Sequence, residues 1–180
     1  MRIFLTAFLL SFALTSAASE PVDTLDAYFR ILTTRNYDGL ENLMAASSMN
    51  DLKVMMDEAI TYQTGNGVYR LQERIFGRRV SQSEVAGASA RFYLRRLAKE
   101  ILEAAQAQHL IVQKRDIIGA VNEGENTVHI VARLTMEQDG RTGTDVLLYT
   151  LIREQEGWKL TFPATIRQML TVIEASARQP

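Results

Sequence analysis

Apolar residues recur at helical spacing through the first hundred or so residues, and the period switches to strict alternation from His109 onward. Leu25, Tyr28, Phe29 and Leu32 stripe one helix from Pro21 to Thr34, with Pro21 in its first turn and Asp23 and Asp26 near its positive end. Asn36-Tyr37-Asp38-Gly39 interrupts the pattern, and Leu40, Leu43 and Met44 mark a second, short helix. Ser48 followed by Asp51 has the form of a capping box, with Asp in place of the usual Glu or Gln. It predicts the start of a third helix striped by Leu52, Met55, Met56, Ala59 and Ile60 and ended by Gly65-Asn66-Gly67. A helical segment from Val68 to Gly77 follows, and Ser81 or Ser83 opens the longest helix, running to about Gln108.

Beyond His109 four strands are predicted. The first spans His109 to Val121, as one strand or as two joined by a bulge near Lys114 to Asp116. The second carries Val128, Ile130, Ala132, Leu134 and Met136 on one face. Asp139-Gly140 is a strong hairpin signal leading into the third. Trp158, Leu160 and Phe162 alternate in the fourth, which Pro163 stops. Ile166, Met169, Leu170 and Ile173 then stripe a final helix over residues 164–177. Helices followed by an antiparallel four-stranded meander give an α+β fold: N-terminal helices packed on the sheet, with a C-terminal helix.

The two sides of the sheet are unequal. Val128, Ile130, Ala132 and Leu134 together with Val146, Leu148 and Ile152 are expected to form the clean apolar face, which offers no acid–base pair. The other side would hold His129, Val131, Arg133 and Glu137 with Asp145, Leu147, Tyr149, Leu151 and Arg153. Val131, Leu147, Tyr149 and Leu151, rimmed by charge, are expected to be a dimer contact. The sharper alternative on that side is a pocket with His129, Tyr149 and Asp145 as catalytic candidates.

The 180 residues suit a single domain, and the absence of cysteine excludes disulfides, thiolate nucleophiles and cysteine-ligated metals. Only His109 and His129 are available as imidazoles, so no metal site and no cofactor is expected. Residues 1–18 read as a secretory signal peptide: Arg2, then an apolar run from Ile3 to Leu14, then Ser16-Ala17-Ala18, with cleavage after Ala18. That leaves one domain over 19–180 and places the protein in a bacterial periplasm, where a small domain without disulfides is at home.

Charge is uneven. Between Asn66 and Lys99 eight basic residues face two acidic ones, and Arg91, Arg95 and Lys99 fall four apart on one helical stripe. That stripe is an expected anion-binding surface for phospholipid head groups or an acidic protein, with pairing to the acidic helices as the blander reading. Nucleic acid is not an expected partner of an exported, slightly acidic chain.

Tyr28-Phe29 through Asn36-Tyr37-Asp38-Gly39-Leu40-Glu41-Asn42-Leu43-Met44, and Leu147-Leu148-Tyr149-Thr150-Leu151-Ile152-Arg153 with Gly157-Trp158-Lys159-Leu160, resemble the nuclear transport factor 2-like (cystatin-like, ketosteroid-isomerase-like) superfamily. The resemblance implies a helix pair over a curved sheet, a cone with a cavity, and a homodimer. The helical stretch over 66–108 and the C-terminal helix depart from its compact members. In architecture the chain is also similar to periplasmic lipid-carrier proteins with a related core. The expected function is an exported, non-catalytic binding or interaction domain for a hydrophobic small molecule or lipid in the cavity, or for a partner protein. The alternatives are a small cone-fold enzyme of isomerase or hydrolase type, and a periplasmic lipid carrier whose basic helix touches anionic membrane.

Overall fold

The computed structural model describes residues 20–162. The signal peptide expected over 1–18 and the final helix expected over 164–177 lie outside them. Six helices precede four strands: α1 (Pro21–Thr34), α2 (Leu40–Leu43), α3 (Ala46–Gly65), α4 (Arg70–Phe76), α5 (Gln82–Gly87), α6 (Ala90–Ala107), β1 (Ile111–Glu123), β2 (Thr127–Gln138), β3 (Arg141–Glu154) and β4 (Gly157–Leu160). The strands form one antiparallel meander in chain order, so the fold is α+β as expected. No helix among the described residues is long and apolar enough to cross a membrane.

Local chemistry accounts for most boundaries. Gly39 precedes α2 at φ 85°, a left-handed conformation that glycine adopts without a Cβ penalty. The capping box falls at Ser81, whose hydroxyl accepts from the Glu84 amide while the Glu84 carboxylate accepts from the Ser81 amide. The expected box at Ser48 does not form. Helix α3 starts two residues earlier, at Ala46, whose amide donates to Glu154 Oε1 at 2.9 Å, a cap supplied from the far end of β3. The single long helix expected from Ser81 or Ser83 is two helices, because Ala88 and Ser89 turn to extended backbone after Gly87 and the Ser89 hydroxyl caps α6 through the Phe92 amide.

The core is one cluster joining helices and sheet, with Leu25, Leu52, Met56, Ile60, Tyr93, Ile130, Leu151 and Leu160 at its centre. Strand β4 is tied to the N-terminal helices: Thr24 Oγ1 donates to the Trp158 carbonyl, Lys159 Nζ to the Asn42 carbonyl and the Ala45 amide to the Leu160 carbonyl. In the helical layer, the buried Tyr93 hydroxyl donates to Asp57 Oδ1 at 2.6 Å, and Lys53 pairs with Asp57 Oδ2. This chain of contacts holds α6 against α3.

The register settles which residues share a face. Gln138 opposes Arg141 across the Asp139-Gly140 turn, so Val128 opposes Leu151, Ile130 opposes Tyr149 and Ala132 opposes Leu147. Directly opposed residues project on the same side. The face turned to the helices, here the inner face, therefore carries Leu147, Tyr149 and Leu151, and the outer face carries Val146, Leu148, Thr150 and Ile152. This reverses the expected sides of β3. Leu151 is fully buried, whereas Val146 and Leu148 are 54 % and 55 % exposed. Strand β1 is continuous but slips register between Val112 and Lys114 and between Ile117 and Gly119. The two bulges keep Val112, Arg115 and Ile117 opposite Met136, Leu134 and Ala132 on the inner face.

Candidate functional site

On the inner face, where α1 meets the sheet, four side chains from three elements converge. Tyr28 and Phe29 are consecutive on α1 and both reach Tyr149 of β3, with ring centres 6.4 and 5.5 Å away. The guanidinium of Arg115, from β1, lies 4.6 Å from the centre of the Phe29 ring, a cation–π distance. Arg115 also pairs with Asp26, one turn of α1 away, so its charge is matched inside the site.

Tyr28 is 8 % exposed and Tyr149 3 %, and neither hydroxyl makes a hydrogen bond among the described residues. No buried side-chain oxygen there lacks a partner, so both hydroxyls open onto accessible space. Burial pushes the Tyr28 phenol up to about 12. Burial also raises that of Tyr149, with neighbouring Tyr28 and Asp145 adding to the rise and Arg115 opposing it. Both phenols are thus protonated near neutral pH and available as donors. Beside them the inner face is incompletely covered: Ile117 is 38 % and Val112 43 % exposed, and Leu147 and Met136 are half-buried. The arrangement sets partly exposed apolar side chains on the same face as two neutral donors that have no partner among the described residues.

The sequence-predicted residues are redistributed. His129 lies on the outer face, opposite Thr150, its Nδ1 3.0 Å from Thr150 Oγ1 and its Nε2 2.8 Å from Glu123 Oε2. It therefore shares no pocket with Tyr149. Asp145 lies on the side of Tyr149 but is exposed, and its carboxylate accepts from the amide of Val146. The expected dimer set is likewise divided: Val131 is on the outer face, whereas Leu147, Tyr149 and Leu151 face the helices. His109 ends the helical half at φ 50° and sits 3.0 Å from exposed Asp139, away from both sites.

The basic stripe is occupied from within. Arg91 and Arg95 both pair with Glu41 Oε1, at 2.9 and 3.0 Å; Arg95 also reaches Asp38, and Lys99 pairs with Glu103 one turn along. Burial alone would raise the Glu41 carboxyl, but its backbone hydrogen bond and the charges of Arg95 and Arg91 outweigh that and hold it below the usual range. The stripe closes the α2–α6 contact, so the expected anion-binding role has no free cation at Arg91 or Arg95.

Arg115, Asp26, Tyr28 and Phe29 were legible in the sequence as strand and helix residues but not as a site. The available signal was the two-residue Asp139-Gly140 turn. It puts even positions of β2 beside odd positions of β3, and so puts Tyr149 under α1.

No family model matches the chain, and no curated protein matches it. Among solved structures it is similar to an NTF2-like protein with a cystatin-like fold from Novosphingobium aromaticivorans. The two are 13 % identical over 82 % of this chain and 84 % of that one, with a TM-score of 0.40. It also aligns with the intermembrane-space region of the chloroplast protein ARC6, at 15 % identity over 39 % of this chain and 66 % of that one, with a TM-score of 0.22.

Proposed function

We propose that this protein is an exported, periplasmic, non-catalytic binding domain that holds a hydrophobic small molecule or lipid against the inner face of its sheet. The observation that supports this most is the pair of largely buried tyrosines whose accessible hydroxyls have no partner among the described residues, on the same face as apolar side chains that the described helices leave partly uncovered. A polar donor that opens beside apolar surface suits a ligand with an apolar body and an accepting group. A catalytic reading loses its imidazole, since His129 is on the outer face.

The outer face fits a second copy of the chain. Val121, Val146 and Leu148 are all more than half exposed and surround Val131. Lys114, Asp116, Glu123 and Arg133 lie on the same side, so both signs of charge edge the apolar centre. A two-fold axis sets such a patch against itself with opposite charges available to each other. The homodimer thus uses Val131 with Val121, Val146 and Leu148.

The ligand is tested by native mass spectrometry of protein purified from the periplasm. A non-covalent adduct that leaves under mild activation is expected. Protein at its bare mass in every charge state, from cells with intact envelope lipids, would count against the binding role.

A further inference from the structure

We infer that the inner-face site selects an uncharged amphiphile: an apolar body with a head that presents a hydroxyl or carbonyl oxygen. This deepens the binding role proposed above and rests on it. The head chemistry follows from what the site lacks as much as from what it offers. Tyr28 and Tyr149 present two protonated hydroxyls with no partner among the described residues, and the simplest complement is an oxygen that accepts from them.

The guanidinium at the site is already matched. Arg115 is paired with Asp26 and stacked on Phe29, and its Nη1 points to the Leu25 carbonyl at 3.4 Å. Asp145 is exposed and bonded to its own strand. A carboxylate or phosphate head would have to displace Asp26 to reach a cation, leaving that carboxylate beside it. A quaternary ammonium head would meet two hydroxyl hydrogens and a compensated guanidinium, and the carboxylate of Asp145 on that side is exposed, where water screens it to a weak counter-charge. Moving either ion out of water without a counter-charge costs more than hydrogen bonds to two phenols return.

The body follows from the register. Ile117 and Leu147 stand on either side of the fully buried Ala132, two inter-strand steps or roughly 10 Å apart, and supply the accessible apolar surface of that row. Val112 and Met136 continue the strip away from the tyrosines. An unbranched chain of about eight to ten carbons is long enough to lie along it.

The test is calorimetric titration of the full-length mature protein, near neutral pH, with three probes of equal chain length: decanol, decanoate and decyltrimethylammonium, all below their aggregation concentrations. Decanol is expected to bind at least about tenfold more tightly than either ion. The paired substitution Tyr28→Phe with Tyr149→Phe is expected to weaken decanol about tenfold while leaving the unfolding transition cooperative. Decanoate or the ammonium binding as tightly as decanol would overturn the head-group assignment and leave the binding role standing. Decanol affinity unchanged by the two Phe substitutions would overturn it too. If none of the three binds, the inner-face binding role itself fails.

Discussion

Leu151→Ala is expected to lower the unfolding free energy by about 2–5 kcal/mol, the range for truncating a leucine in a core that cannot collapse around the gap. Leu151 is fully buried at the junction of β3, β2 and β4, opposite Val128 and Leu160. Its near neighbour Leu148 points the other way and is 55 % exposed. Leu148→Asp should leave the monomer's fold intact and halve the mass seen by size exclusion with light scattering. Urea unfolding of the first variant and light scattering of the second test the assignment of faces. If Leu151→Ala is silent and Leu148→Asp unfolds the chain, the sides have been exchanged.

Glu41→Gln should cost about 1–3 kcal/mol at neutral pH, the scale of hydrogen bonds to charged groups, reduced here because Arg91 and Arg95 stay partly in water. The Glu41 side chain is only 8 % exposed, so the variant keeps a buried neutral amide where a carboxylate had matched Arg91 and Arg95, which fall back on water. The pH dependence has a definite sign. The folded carboxyl is held below its unfolded value, so its contribution is full above that unfolded value and fades as pH falls through the lower, folded one. Wild type and Glu41→Gln should therefore differ in urea midpoint at neutral pH and converge in acid, below the ordinary carboxylate value of 4.5. A difference that is absent at neutral pH, or that persists unchanged in acid, would remove the ion cluster from the account of how α6 is held to α2.

The order of elements was readable because each is marked by its own chemistry. Leu25, Tyr28 and Leu32 repeat at helical spacing, Val128 to Met136 alternate, and Asp139-Gly140 closes a hairpin. What failed was the relation between elements. Both strands of the β2–β3 hairpin have an apolar parity, and pairing the even residues of each looks natural from hydrophobicity alone. The two-residue turn forbids it, since a pair closing at Gln138 and Arg141 always sets an even position against an odd one. The true inner parity of β3 contains Tyr149, a polar-tipped residue, and the outer parity contains Leu148 and Val146, so composition pointed the wrong way.

The other differences share a cause: partners distant in sequence. Ala46 needs no local cap because Glu154 supplies one from more than a hundred residues away. Arg91 and Arg95 look like a free basic stripe until Glu41 and Asp38 are brought beneath them by the turn at Gly39. Arg115 looks like a charged interruption of a strand. Two bulges in β1 keep it on the inner face, where Asp26 and Phe29 receive it. Local periodicity carries no information about any of these pairings.

The claim that the inner face is the binding surface is tested most directly by methyl-resolved NMR. Protein labelled at the Ile, Leu and Val methyls would be titrated with decanol and the shift changes mapped onto the two faces. The account predicts changes concentrated at Ile117, Val112 and Leu147, with Val121, Val146 and Leu148 unmoved. Changes confined to the outer-face methyls, or none on either face at saturating decanol, would contradict it.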